Sequence, residues 1–253
     1  MEQASIKHIL GYAIFNGTAN QLTAEIESRL ARLGQVCLFY ANSNLMQLWH
    51  GEQESLRQES IVMANDGIAL DLVAKTITGS RFVANLNGTD YTPHLLATSA
   101  RCKRVFLLGA KPGVADLAAV RFGQLDGVSV VGTADGYGQM ADEAALIERI
   151  NESGAQVLLV ALGNPKQEAW LLAHRHVLKV PLLVGVGALL DFMSGNVKRA
   201  PSWVQRMHLE WFYRLLGEPG RLLRRYTLEM GRFFWLCFAY ERQHRKAGLA
   251  NDA

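Results

Sequence analysis

Short apolar runs rich in β-branched residues recur along the chain at residues 8–15, 36–41, 60–64, 104–108, 128–132, 157–162 and 181–185. Runs this short and this uniformly apolar predict strands buried on both faces of a sheet. The stretches between them carry helix signals: Thr18 ahead of residues 19–33, Thr89 ahead of residues 90–98, and Pro112 at the start of a segment reaching Gly123. Strand alternating with helix implies parallel pairing through right-handed crossovers, hence an α/β fold with a Rossmann-like parallel sheet flanked by helices. After Asp191 no strand pattern recurs, and helical stretches follow, broken at residues 217–220. The chain is therefore expected to divide into an α/β catalytic domain, 1–200, and a C-terminal helical appendage, 201–253.

Within the appendage, Trp211, Leu215, Leu222, Tyr226, Met230 and Phe233 are spaced by three, four or seven, with arginines between them. The segment is thus an amphipathic helical one. Charge sharpens the picture. Residues 211–246 hold eight Lys or Arg against three Glu, a local charge of +5 that leaves the rest of the chain at −2 out of a net +3. A basic amphipathic segment reads as a reversible anchor on anionic lipid. The competing reading is a helix packed in the interface of a homo-oligomer. Nucleic acid is not expected as a partner, because the strand loops offer no aromatic stacking platform and the core is slightly acidic.

The 253 residues are 49% apolar and 19% charged, the composition of a chain that folds over nearly its whole length. Three cysteines, Cys37, Cys102 and Cys237, never form a CxxC pair, so neither a disulfide framework nor a zinc site is expected. The first ten residues lack a charged start followed by a long apolar stretch, and the longest apolar run near the end, 233–240, is far short of the roughly 20 residues that span a bilayer. These features predict a cytoplasmic protein.

Polar residues crowd the ends of the predicted strands, where ligands sit in parallel α/β folds. Asp66 follows a strand and precedes Gly67, a placement that fits a general base or an N-cap of the next helix. Gly109 opens a Gly-Ala-Lys-Pro-Gly loop able to hold phosphate on backbone amides and a helix N-terminus. The run 163–168, Gly-Asn-Pro-Lys-Gln-Glu, adds a lysine to neutralise phosphate and an amide that both donates and accepts. Lys198 and Arg199, just before Pro201, fit a pyrophosphate leaving group. No Walker A loop and no GxGxxG after the first strand are present, which argues against a dinucleotide-dependent oxidoreductase. DxD and DxE are absent too, so no metal is expected, and cationic side chains and helix N-termini would carry the charge of a departing diphosphate.

Taken in order, Asp66-Gly67, Gly88-Thr89-Asp90, the strand ending at Gly109, the 163–168 run, Val186-Gly187 and the long stretch from Asp191 through Lys198-Arg199-Ala200-Pro201, Glu210-Trp211, Tyr213-Arg214-Leu215 and Glu218-Pro219 to Tyr226 resemble the WecG/TagA/CpsF glycosyltransferases. The resemblance implies an enzyme that moves a sugar, with inversion and without a metal, from a UDP-sugar to a polyprenyl-diphosphate-linked saccharide at the inner face of the bacterial membrane. It assigns the base to Asp66, and it implies that the appendage binds the membrane and closes Arg214, Arg221 and Arg224 over the active site. Asn42, Tyr137, Gln167 and Asp191 match further donor or acceptor positions. Asp90, Asn164, Lys166 and Gly187 complete the expected substrate contacts. Two departures, Tyr40-Ala41-Asn42 where relatives often carry Thr-Pro-Asn and Asn85 where they carry arginine, turn the expectation from an N-acetylmannosamine donor toward UDP-glucose in exopolysaccharide synthesis.

Overall fold

The computed structural model describes residues 4–197, 201, 204, 220 and 225–251, with backbone alone for residues 225–226 and 245–251. An eight-stranded sheet runs through it: β1 (Ser5–Ile9), β2 (Tyr12–Asn16), β3 (Val36–Ala41), β4 (Ile61–Asn65), β5 (Arg104–Gly109), β6 (Ser129–Ala134), β7 (Val157–Ala161) and β8 (Leu182–Gly185). The spatial order is β1-β2-β4-β3-β8-β7-β5-β6, all parallel except the β1–β2 pair. The helices are α1 (Ala19–Leu33), α2 (Ser43–Leu48), α3 (Ile68–Thr78), α4 (Gly88–Thr98), α5 (Val114–Phe122), α6 (Glu143–Glu152), α7 (Lys166–His174), α8 (Leu189–Ser194) and α9 (Met230–Asn251).

The α/β class read from the sequence is the one observed, and several local boundaries differ for identifiable reasons. The first apolar run is a hairpin, not one strand: Ile9 pairs with Tyr12 across Leu10 and Gly11, both at positive φ, which suits a two-residue turn. Leucine at the first of those positions carries no turn signal. Helix α5 starts at Val114 because Gly113, at φ 81°, separates it from Pro112. Helix α4 starts one residue ahead of Thr89, because the Asn87 side chain accepts from the Asp90 amide and caps it. Helix α1 begins where Thr18 predicted, through a capping box in which Thr18 and Gln21 satisfy each other's backbone amides.

The direction of each crossover decides which face its helix covers. Connections stepping toward β1 (β3 to β4, β6 to β7, β7 to β8) carry α2, α6 and α7 on one face, in a core with Leu45, Leu146 and Leu171. Those stepping toward β6 (β2 to β3, β5 to β6) carry α1 and α5 on the other, with Leu22, Ile26 and Ala118. One crossover hand produces the sorting in these five connections; the β4-to-β5 connection carries α3 in the first core and then α4 in the second. The chain leaves β7 for α7 on one face and leaves its neighbours β5 and β8 for α5 and α8 on the other, so the loops part at these strand ends, the place where such sheets form a ligand crevice.

Helix α9 returns to the α2 side. Phe233 and Cys237, one turn apart, are buried in that core, with Met230, Phe234, Leu236 and Tyr240 packed around them. Trp235 (68% exposed), Phe238 and Leu228 face outward. Among the described residues no helix is long and apolar enough to cross a membrane.

Candidate active site

The crevice is built first from backbone. Gly109 ends β5 at φ 119°, and a Cβ there would lie 2.5 Å from the Ala161 carbonyl oxygen. Its neighbour Ala110, also at positive φ, donates its amide to that same carbonyl at 2.9 Å and accepts from the Gly136 amide at 2.9 Å. A side chain on Gly136 would meet Leu162 and the Ala110 carbonyl, so three loops close here without side chains between them.

Across the crevice, polar side chains join the ends of β3, β7 and β8. Asn42 caps α2, its Oδ1 accepting from the Asn44 and Leu45 amides. Its Nδ2 donates to Asn164 Oδ1 at 3.4 Å. Asn164 Nδ2 donates to Glu168 Oε1 at 2.6 Å, and Gln167 Nε2 donates to the same oxygen at 2.8 Å. Gln167 Oε1 accepts from the Gly187 amide at 2.9 Å. Gln167 is only 2% exposed and Glu168 fully buried. Glycine at 185 leaves space for this, since a Cβ there would sit 3.0 Å from Gln167 Nε2. Burial pushes the Glu168 carboxyl up to about 7, with the hydrogen bonds from Gln167 and Asn164 opposing the shift.

Asp66 lies immediately beyond β4, its amide donating to the Ala41 carbonyl at 2.8 Å. The N-cap alternative does not hold, because Gly67, at φ 95°, occupies the cap of α3 and no side chain caps that helix. The Gly67 amide instead donates to Asn85 Oδ1 at 3.4 Å. Below Asp66, Asn65 is buried and its Nδ2 donates to the Ala84 carbonyl at 2.9 Å, fastening the loop that carries Asn85 to the end of β4. The buried Tyr40 phenol shares a hydrogen bond with Thr92 at 2.8 Å. Desolvation drives its pKa well above the usual value, and the Asp66 carboxylate adds to that shift, so the two residues are electrostatic neighbours.

The remaining expected residues divide. Lys166 is exposed on the first turn of α7, and Pro165 occupies the cap position just before it, joined to Asn164 by a cis peptide. Asp191 is half-buried at the start of α8; burial raises its pKa and the Lys111 ammonium opposes this, which links the β8 and β5 loops. Tyr137 is exposed beyond β6, its amide donating to Asp135 Oδ1. Asp90 sits on the first turn of α4, where its carboxylate accepts from Asn87 Nδ2. Lys198, Arg199, Arg214, Arg221 and Arg224 lie outside the described residues.

The sequence marks Glu168 only as part of the 163–168 run, Asn65 only as part of the polar end of its strand and Asn85 only as a departure from relatives; the roles of all three, Asn85 as a partner of Gly67 among them, come from the structure. For Glu168 a signal existed, because Gln167, Glu168, Trp170 and Leu171 form the buried stripe of α7 and two of the four are polar. For Asn65 and Asn85 none did, since their contacts depend on how the 81–87 loop folds back.

A Rossmann-like sheet with polar side chains at its strand ends and a carboxylate beyond one strand tip is an α/β framework of the kind that places a ligand at the strand ends. Residues 7–247 match the model of the glycosyl transferase WecG/TagA/CpsF family, and the chain belongs to that family. It is a glycosyltransferase, with a nucleotide-sugar donor and a lipid-linked acceptor as its general partners.

Proposed function

We propose that the protein is an inverting, metal-independent hexosyltransferase that moves glucose from UDP-glucose to a polyprenyl-diphosphate-linked saccharide in bacterial exopolysaccharide synthesis. The observation that carries this reading is the position of Asp66: a carboxylate beyond the tip of β4, with Gly67 rather than Asp66 at the cap of α3, adjacent to the strand-end loops through Ala41 and Asn42. Asp66 takes the proton from an acceptor hydroxyl as its oxygen bonds the anomeric carbon. The bond from that carbon to the diphosphate breaks in the same step, and its electron pair leaves with UDP. Inversion follows from a single displacement.

Lys166, Lys198, Arg199, Arg214, Arg221 and Arg224 supply positive charge for the departing diphosphate, and no metal cofactor takes part. Gln167, Asn164, Asn42 and Gly187 shape the donor side of the crevice, Gly109, Tyr137 and Asp191 the loops facing it, and Asp90 the acceptor side. A UDP-N-acetylmannosamine or mannosaminuronic acid donor is the alternative within the same family. Asn85 beside Gly67 supports glucose, because the neutral amide there leaves the neighbourhood of Asp66 without the cation that relatives often carry.

The segment 201–253 acts as an appendage that holds the enzyme on anionic lipid at the cytoplasmic face of the inner membrane. Exposed Trp235 and Phe238 on α9, with Arg242 beside them, and exposed Leu228 in the turn just before that helix support this. A second copy of the chain covering the same face is the other occupant, and sedimentation with anionic vesicles separates the two. The enzymatic test is to incubate the full chain with a panel of UDP-sugars and a short-chain prenyl-diphosphate saccharide. A glucosylated lipid of inverted anomeric configuration is expected, formed in the presence of a chelator. Transfer only of N-acetylmannosamine or its uronic acid, or loss of transfer with chelator, would overturn the assignment.

A further inference from the structure

We propose that Glu168 is a positioning residue of the transfer reaction, whose buried carboxyl fixes the Gln167 and Asn164 amides and so holds the β3, β7 and β8 loops in one arrangement. The reaction is the family's glycosyl transfer; only the view that these loops line the donor site rests on the function proposed above.

A side-chain amide has two nearly isosteric ends, and what decides which end points where is the partner each meets. Gln167 must present its carbonyl oxygen to the Gly187 amide, a pure donor, which leaves its Nε2 pointing at Glu168. Asn164 likewise accepts from Asn42 and sends its Nδ2 to the same place. Both amides therefore converge on a single oxygen, Glu168 Oε1, at 2.8 and 2.6 Å. The oxygen at this point has only to accept: it can receive both donors, and it offers no donor to the carbonyl ends of flipped amides. Remove the acceptor and both amides lose the partner that orients them, in a place where an unpaired donor is costly.

The chain of contacts runs from the Gly187 amide through Gln167, Glu168 and Asn164 to Asn42, which caps α2, and so ties together the ends of three neighbouring strands. Fastening those loops to one another would not require an ionisable group. Glu168 is fully buried, and its Oε2 has no hydrogen-bond partner among the described residues. A buried carboxyl with one oxygen unpaired is destabilising, and although an acidic residue suits the first turn of α7, that preference is met without burying the side chain. Its use lies in the acceptor it supplies to two adjacent amides.

Two conservative variants of the full chain separate this role from a general need for a folded core. E168D keeps the charge but withdraws the carboxyl by one methylene from both amides, and should lower kcat/KM by roughly 10²-fold, the scale of a misplacement of about 1 Å. E168Q keeps an acceptor oxygen at full reach without the charge, and should recover most of that loss. In the double variant E168D/Q167L the two losses should overlap rather than multiply, because one residue acts through the other. Hydrogen exchange at the Gly187 amide needs no substrate: it should quicken in E168D and return toward the wild-type rate in E168Q. E168Q as impaired as E168D, multiplicative losses in the double variant, or unchanged Gly187 exchange in E168D would each overturn the proposal, and the exchange result stands even if no UDP-sugar is turned over.

Discussion

Gly109 lies against Ala161 so closely that a single added methyl group would reach within 2.5 Å of the Ala161 carbonyl oxygen. The contact joins the ends of β5 and β7, the two strands whose chains part to opposite faces. Backbone on backbone is the only packing that fits there.

Replacing Gly109 with alanine therefore meets two obstacles at once, a φ of 119° that side chains rarely adopt and a clash with backbone rather than with a movable side chain. A loss of about 2–4 kcal/mol is expected, read from denaturant unfolding, with the mutant's lower midpoint at unchanged slope.

Asp66→Asn keeps the shape of the side chain and removes its basicity. Turnover should fall by roughly 10²-fold or more while UDP binding by calorimetry stays close to wild type. Near-normal turnover would remove Asp66 from the role of base.

Glu168 makes stability depend on pH with a sign opposite to that of a salt-bridged carboxylate. Its native pKa, pushed up to about 7 from 4.5, means that the folded state holds the proton more tightly than the unfolded one. Stability should be greatest below about pH 4.5 as far as this group is concerned, and should decline as pH rises through 7, by about 3 kcal/mol at most. E168Q removes the titration, so its denaturation midpoint should exceed that of wild type at pH 8.5 and approach it at pH 5. Parallel pH profiles for the two proteins would contradict the assignment.

Cys237 reports on whether α9 stays docked. It is buried beside Phe233, and burial pushes its thiol up to about 12, so a thiol reagent should leave it unmodified in the native protein. Phe233→Ala opens a cavity in that packing, worth about 3–5 kcal/mol, and should expose Cys237 to labelling before the sheet unfolds. Equal labelling rates in both proteins would mean that α9 does not detach on its own.

Much of this molecule was legible before folding. Uniform apolar runs gave the buried parallel strands, because a strand covered on both faces has no polar side to show. Thr18 marked the start of α1 because its capping bond is made to Gln21, three residues away. Asp66, Asn164 and Gln167 stood out because polar residues at the ends of apolar strands have few structural duties. These features depend on neighbours in the chain, and a sequence records neighbours directly.

What the tertiary structure alone decided depends on pairs far apart. The Leu10-Gly11 hairpin follows from two residues held at positive φ between paired strands, and leucine gives no sign of it. The docking of Phe233 and Cys237 against α2 and α3 turned part of a segment that reads as an amphipathic tail into core, since periodicity marks an apolar face but not what covers it. The parting of the loops at the strand ends arises because the chain leaves β7 for one face and its neighbours β5 and β8 for the other, and strand order is not written in any local pattern. Glu168 is the sharpest case. In sequence it is one acidic residue on the first turn of a helix; only the convergence of Gln167 from beside it and Asn164 from the preceding loop, tied in turn to Gly187 and Asn42, makes its buried oxygen the point on which three strand ends depend.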